Sequence, residues 1–158
     1  MAVDKILALA VLLAMPCMTA ATAETTEQEK GQVLAVLQAV AEEWSNTQAM
    51  PSTSHFEAAL TVVDNTPPYL FQGPEAVQSW LRAYRETQSP AATKAKTSLH
   101  FLEPRTIEIE GARAYIAAPA DWTVTLDGRS DVSHGVVTAT LNRSSQGWRI
   151  AAWIWTPQ

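Results

Sequence analysis

The chain has 158 residues, a formal net charge of -5, 17% charged residues and a single cysteine. That length suits one domain. The acidic balance, with no basic stripe along the chain, excludes a nucleic-acid-binding surface and argues against anionic membrane surfaces as partners.

Met1–Ala23 reads as a secretory leader. Lys5 gives a positive start that Asp4 offsets, Ile6–Met15 is an unbroken apolar run, and Ala21-Thr22-Ala23 is a small-x-small cleavage site. A membrane anchor is the competing reading, but a run of about ten residues spans only ~15 Å as a helix, about half of a bilayer core. Cys17 lies inside this segment, and Pro16 directly before it fits a lipobox poorly. Cleavage after Ala23 leaves a periplasmic or secreted chain with no thiol, hence no disulfide, no thiolate nucleophile and no cysteine metal ligand.

Glu24–Lys30 is polar and expected to be disordered, and the folded domain is expected over residues 31–158. Gly31–Gln48 reads as an amphipathic helix: Val33, Val36, Leu37, Val40 and Trp44 recur at steps of three and four and form one apolar stripe. Met50-Pro51-Ser52 ends it. Ser52 or Thr53 can cap a short second helix through Leu60. Thr61–Asp64 reads as a short strand, Asn65-Thr66-Pro67-Pro68 as a turn, and Tyr69–Gln72 as another short strand. Gly73-Pro74-Glu75 starts a third helix, which runs to Thr87 with Val77, Trp80, Leu81 and Tyr84 on one side. A loop over Gln88–Thr93 follows.

Thr97–Glu110 alternates and is broken at Glu103-Pro104, because proline removes a ladder donor. Three long strands close the chain: Ala112–Leu126, Ser130–Arg143 and Trp148–Thr156. They are joined by turns at Asp127-Gly128-Arg129 and Ser144-Ser145-Gln146-Gly147. Pro119 should bend the first of them. Helices first and a long antiparallel sheet afterwards is an α+β order. A sheet bent at matched positions can curl around helices and leave a closed-ended pocket.

This order resembles the NTF2-like superfamily, and within it the SnoaL-like and ketosteroid-isomerase-like proteins, from about Val33 to Thr156. The resemblance rests on Phe56-Glu57-Ala58-Ala59-Leu60, on the stretch Val63–Val77 with its Asp64, Pro67-Pro68-Tyr69 and Gly73, on Glu110-Gly111-Ala112-Arg113-Ala114-Tyr115, and on Gly147-Trp148-Arg149-Ile150. It implies a cone: three helices packed on a strongly curved, mixed, mainly antiparallel sheet, often dimeric through the outer sheet face. The family spans isomerases, dehydratases, cyclases, hydrolases and non-catalytic binding or association domains, so the fold leaves the function open.

Asp64 ends an apolar run and precedes the Pro-Pro loop. In the resembling enzymes a carboxylate near the cone mouth abstracts a proton beside a carbonyl, a role that burial favours; a turn-forming Asp that bonds its own backbone fits the same position. Asp121 interrupts a strand, where Asp is disfavoured, and reads either as a second acid or as an outward charge beside Pro119. His100 and His134 each share a strand face with apolar residues, and either can line a pocket as an acid–base group or make a structural hydrogen bond. With Asp64, one of them would complete an acid–base set. His55 has no assigned role. No His-x-His or His-x-x-x-His spacing occurs, so no metal is expected, and no cofactor is implied. No Gly-rich phosphate loop or Gly-x-Ser-x-Gly elbow is present. Asn142-Arg143-Ser144 fits a glycosylation sequon that matters only in a eukaryotic secretory route.

Six tryptophans and three tyrosines remain. The resembling isomerases place a tyrosine on the first helix, where this chain has Trp44. Trp44, Tyr69, Trp80, Tyr84, Trp122 and Trp153 are the expected ligand-binding residues. Strict alternation puts Trp148, Ile150, Ala152 and Ile154 on one face of the last strand and Trp153 and Trp155 on the other. A strand apolar on both faces implies cover on both sides, by the helices and by a second subunit; packing within an isolated domain is the alternative. The combined expectation is an exported binding protein for a small apolar or aromatic molecule. The alternatives are a cofactor-free isomerase, dehydratase or cyclase using Asp64 with His100 or His134, and a non-catalytic dimerisation module.

Overall fold

The computed structural model describes residues 18–47, 52–87 and 94–158. Helix α1 (Met18–Thr47) leads through a single 3-10 turn (Thr53–His55) into strands β1 (Phe56–Val63) and β2 (Leu70–Gln72) and helix α2 (Ala76–Thr87). Five strands follow: β3 (Lys96–Phe101), β4 (Thr106–Glu110), β5 (Arg113–Leu126), β6 (Arg129–Ser144) and β7 (Gly147–Pro157). The fold is α+β, with a seven-stranded sheet in the order β2-β1-β7-β6-β5-β3, β4 also pairing with β5.

The expected short helix from Ser52 to Leu60 is absent, so the described residues hold two helices rather than three. Ser52 does cap, its side chain accepting from the Ser54 N–H at 3.2 Å, but the chain then extends. Phe56, Leu60 and Val62 are the buried positions. A spacing of four suits one helical turn and two strand repeats alike, so Phe56 and Leu60 do not discriminate. The free edge of β7 decides: β1 pairs with it in parallel, Val62 beside Trp153 and Val63 beside Ile154.

Residues 24–30, expected to be disordered, lie within α1, where Lys30 pairs with Glu27 at 2.8 Å and Glu29 with Arg143 of β6. The expected leader lies outside the described residues as far as residue 17, and α1 runs across the expected cleavage point. The helix breaker Met50-Pro51 and the loop at 88–93 also lie outside them.

β3 and β4 occupy one side of β5 end to end, β3 against Ala120–Thr125 and β4 against Arg113–Ala117. The change-over falls at Pro119. Its carbonyl accepts from the Leu102 N–H at 2.9 Å, but it has no N–H to return, so pairing with β3 stops there. β5 and β6 turn through Asp127 and Gly128, both at positive φ (50° and 77°), the two-residue geometry that matches strand twist.

Both helices cover one face of the sheet, α1 across β3, β4, β5 and β7, and α2 against β1 and β2. Leu37, Leu60, Ile116, Leu141, Ile150 and Trp153 are fully buried between the layers, each contributing about 1.5–3 kcal/mol by removal from water. The last strand departs from strict alternation. Leu141 pairs with Ile150 but Thr140 with Ala152, so Ala151 is an extra residue in a β-bulge. The bulge shifts the phase by one, and Trp148, Ile150 and Trp153 all join the core. The tryptophans therefore do not divide between two faces, and that ground for a second subunit does not hold.

A candidate ligand-binding cavity

The cavity lies between the helices and the inner sheet face, and alternation explains its walls. Trp44 and Ala41 close the apolar stripe of α1. Ser45 fixes the end of that helix on the sheet: its hydroxyl donates to the Ala41 carbonyl at 2.7 Å and accepts from the Leu99 N–H at 3.2 Å. Trp80 and Tyr84 are one turn apart on α2. Trp122 and Val124 point inward from β5, and Ser133 stands opposite Trp122 on β6. Trp153 and Trp155 point inward from β7 beyond the bulge. Together with Leu99, Pro157 and the loop residues Asp64 and Asn65, these enclose a cavity of about 280 Å³.

Five of the six expected ligand-binding residues meet here. Trp44 lies edge-to-face on Trp80 (centroids 5.0 Å apart), on Trp122 (5.1 Å) and on Tyr84 (6.3 Å). Tyr84 meets Trp122 at 5.9 Å, and Trp80 meets Trp153 at 6.3 Å. Trp80 Nε1 is buried and has no hydrogen-bond partner among the described residues, a donor a bound molecule can satisfy. Burial holds the Tyr84 phenol above its ordinary pKa, the nearby negative charge of Asp64 adding and a hydrogen bond with Trp122 subtracting. Tyr84 is therefore a protonated donor at neutral pH.

Tyr69 is not part of this wall. It is 59% exposed, at φ 74° after Pro68, with its N–H donating to the Thr66 carbonyl at 2.8 Å. Asp64 forms the turn: Oδ1 accepts from the Thr66 N–H at 2.8 Å, closing an Asx turn, and the residue also lines the cavity.

The set of Asp64 with a histidine does not assemble. His100 and His134 both stand opposite Asp121, on neighbouring strands, and so share the sheet face turned away from the helices. Strand parity sets this: Leu99 and Trp122 face inward, which turns His100 and Asp121 outward. Asp121 thus takes the outward of its two readings. His55 pairs with Glu43 at 2.9 Å and ties α1 to the 3-10 turn. Among the described residues no group of three or more His, Cys, Asp or Glu is placed to hold a metal ion.

Sequence reasoning missed Trp155, Leu99, Val124, Asn65, Ser133 and Pro157 as wall residues. Trp155 was within reach through its shared parity with Trp153, and Val124 through Trp122. Ser133 and Pro157 carry no such mark; strand register alone brings them in.

No family model and no curated protein matches this sequence. Solved structures do match. A protein of unknown function from Mycobacterium tuberculosis superposes with a TM-score of 0.70 at 12% identity, over 90% of this chain and 78% of the other. An NTF2-like protein with a cystatin-like fold from Novosphingobium aromaticivorans gives 0.70 at 11% identity, over 89% and 88%. A candidate dehydratase of the NTF2-like family from Streptomyces avermitilis gives 0.65 at 13% identity, over 84% and 97%. These likenesses give this chain the NTF2-like fold.

Proposed function

We propose that this protein binds a small apolar or aromatic molecule in the cavity between its helices and sheet. The observation that carries the reading is the wall itself: five tryptophans and a tyrosine converge from two helices and two strands on one space. Apolar walls with a few placed polar groups are the usual make-up of small-molecule sites. Here the polar groups are Trp80 Nε1, the Tyr84 and Ser133 hydroxyls, the Asn65 amide and the Asp64 carboxylate. The leader-like segment Met1–Ala23 supports a place of action outside the cytoplasm. A homodimer through the uncovered sheet face is part of the same reading. Its support is the exposure of Val63, Tyr115 and Val132 on that face.

The test is titration with N-phenyl-1-naphthylamine, an uncharged apolar fluorophore. Saturable binding that competes with small aromatics and is lost in Val124→Trp, which fills the cavity, is the expected result. Equal binding by the filled variant sinks the reading.

A second reading, cofactor-free proton transfer, is supported by the placement of Asp64 and Tyr84 in one cavity, a carboxylate base and a protonated donor. Asp64→Asn abolishing turnover of an enolisable ketone while keeping its binding would favour it.

A further inference from the structure

We infer that the molecule bound here is an organic cation of the quaternary or tertiary ammonium class, its charged centre seated against Trp44, Tyr84 and Trp122 with Asp64 as counter-charge. This rests on the reading that the cavity binds small molecules, and adds the sign of the ligand's charge.

The three rings are pairwise near perpendicular. The interplanar angles are 83° for Trp44 and Tyr84, 82° for Trp44 and Trp122, and 87° for Tyr84 and Trp122. Their centroids are 5.1–6.3 Å apart. All three residues line the cavity, and a cation–π contact reaches roughly 6 Å from a ring centroid.

The charge of the lining selects among occupants. Among the described residues, no lysine, arginine or histidine lines the cavity, and Asp64 is its single ionisable group besides Tyr84. Asp64 also pushes the Tyr84 phenol upward, though less than burial does, so its field acts on that ring. An anion would be desolvated there beside a carboxylate with no cation to answer it. A neutral molecule gains only burial. A cation gains ring faces and Asp64 together. A primary ammonium carries three donors that need acceptors when buried, and besides the Asp64 carboxylate this wall offers only the neutral oxygens of Tyr84, Asn65 and Ser133. A weakly hydrated quaternary or tertiary ammonium avoids that cost. The donor at Trp80 suits an ether, carbonyl or hydroxyl oxygen elsewhere on the same molecule.

The experiment compares three molecules of one shape: benzyltrimethylammonium, its uncharged isostere neopentylbenzene, and the anion phenylmethanesulfonate. Each is titrated into the full chain with tryptophan fluorescence and calorimetry as readouts. The cation is expected to bind about tenfold or more tighter than neopentylbenzene, as a desolvated cation–π contact implies, and the anion not measurably. Asp64→Asn keeps the Asx turn, because Asn makes the same bond. It should remove most of the preference while leaving neopentylbenzene unchanged. Trp122→Leu should weaken the cation more than the isostere. If neopentylbenzene binds as tightly as the cation, the cation assignment is overturned and the binding cavity stands. If none of the three binds and N-phenyl-1-naphthylamine also fails, the cavity reading falls with it.

Discussion

His134 Nδ1 lies 2.8 Å from Asp121 Oδ1 across the β5–β6 ladder, on the sheet face away from the aromatic cavity. Two residues with the right chemistry for catalysis thus form a pair of their own. The His134 side chain is 68% exposed and that of Asp121 29%, so the pair is worth under about 1 kcal/mol. His134→Ala and His100→Ala should leave ligand affinity within experimental error and shift thermal unfolding only slightly. A large loss of affinity in either, by calorimetric titration, would place the site on the other face.

Gly135 is the point where β6 yields to the cavity wall. A Cβ there would lie 2.5 Å from Trp155 Cη2 and 2.8 Å from the Thr156 carbonyl oxygen. The ring can swing but the backbone carbonyl cannot, so Gly135→Ala should cost about 1–3 kcal/mol by overpacking and displace Trp155. Denaturant unfolding measures the cost. In the double variant with Trp155→Leu only the part due to the ring should be recovered.

Tyr84 should ionise late, because burial and, less strongly, Asp64 raise its pKa from 10.0. Above pH 10 the unfolded chain releases this proton while the folded chain retains it, so stability falls as pH rises through that window. Ultraviolet phenolate absorbance against pH, for the parent and Tyr84→Phe, should show the late titration vanish in the variant. The variant's stability should also fall less steeply in alkali.

Glu43 works in the opposite direction. The Ser52 N–H and then His55 hydrogen-bond its carboxylate and hold its pKa below 4.5. A depressed carboxylate contributes stability that is present above the unfolded-state value and is lost as pH falls through the folded-state value. Glu43→Gln should lower stability at neutral pH and flatten its decline below pH 4.5. Urea unfolding at neutral and acid pH checks both. An unchanged acid limb would mean that other carboxylates set it.

The sequence by itself determined the α+β order, both helix faces, the break at Pro104 and the final hairpins. These depend on local periodicity and turn chemistry: the Val33–Trp44 stripe, the Asp127-Gly128 turn and the missing donor of proline each act within a few residues. It also marked Trp44, Trp80, Tyr84, Trp122 and Trp153 as a possible wall, because large aromatics on inward faces have few other places to go. Only the tertiary structure decided whether Phe56–Leu60 is helix or strand, since the free edge of β7 outweighs a spacing that serves both. It alone placed Ala151 as a bulge, which turned every tryptophan of the last strand toward the core. It alone set strand register, which carried His100 and His134 to the far face and Ser133 and Pro157 into the cavity. Register and bulges arise from pairing between segments distant in sequence, and a shift of one residue reverses the face of every side chain beyond it.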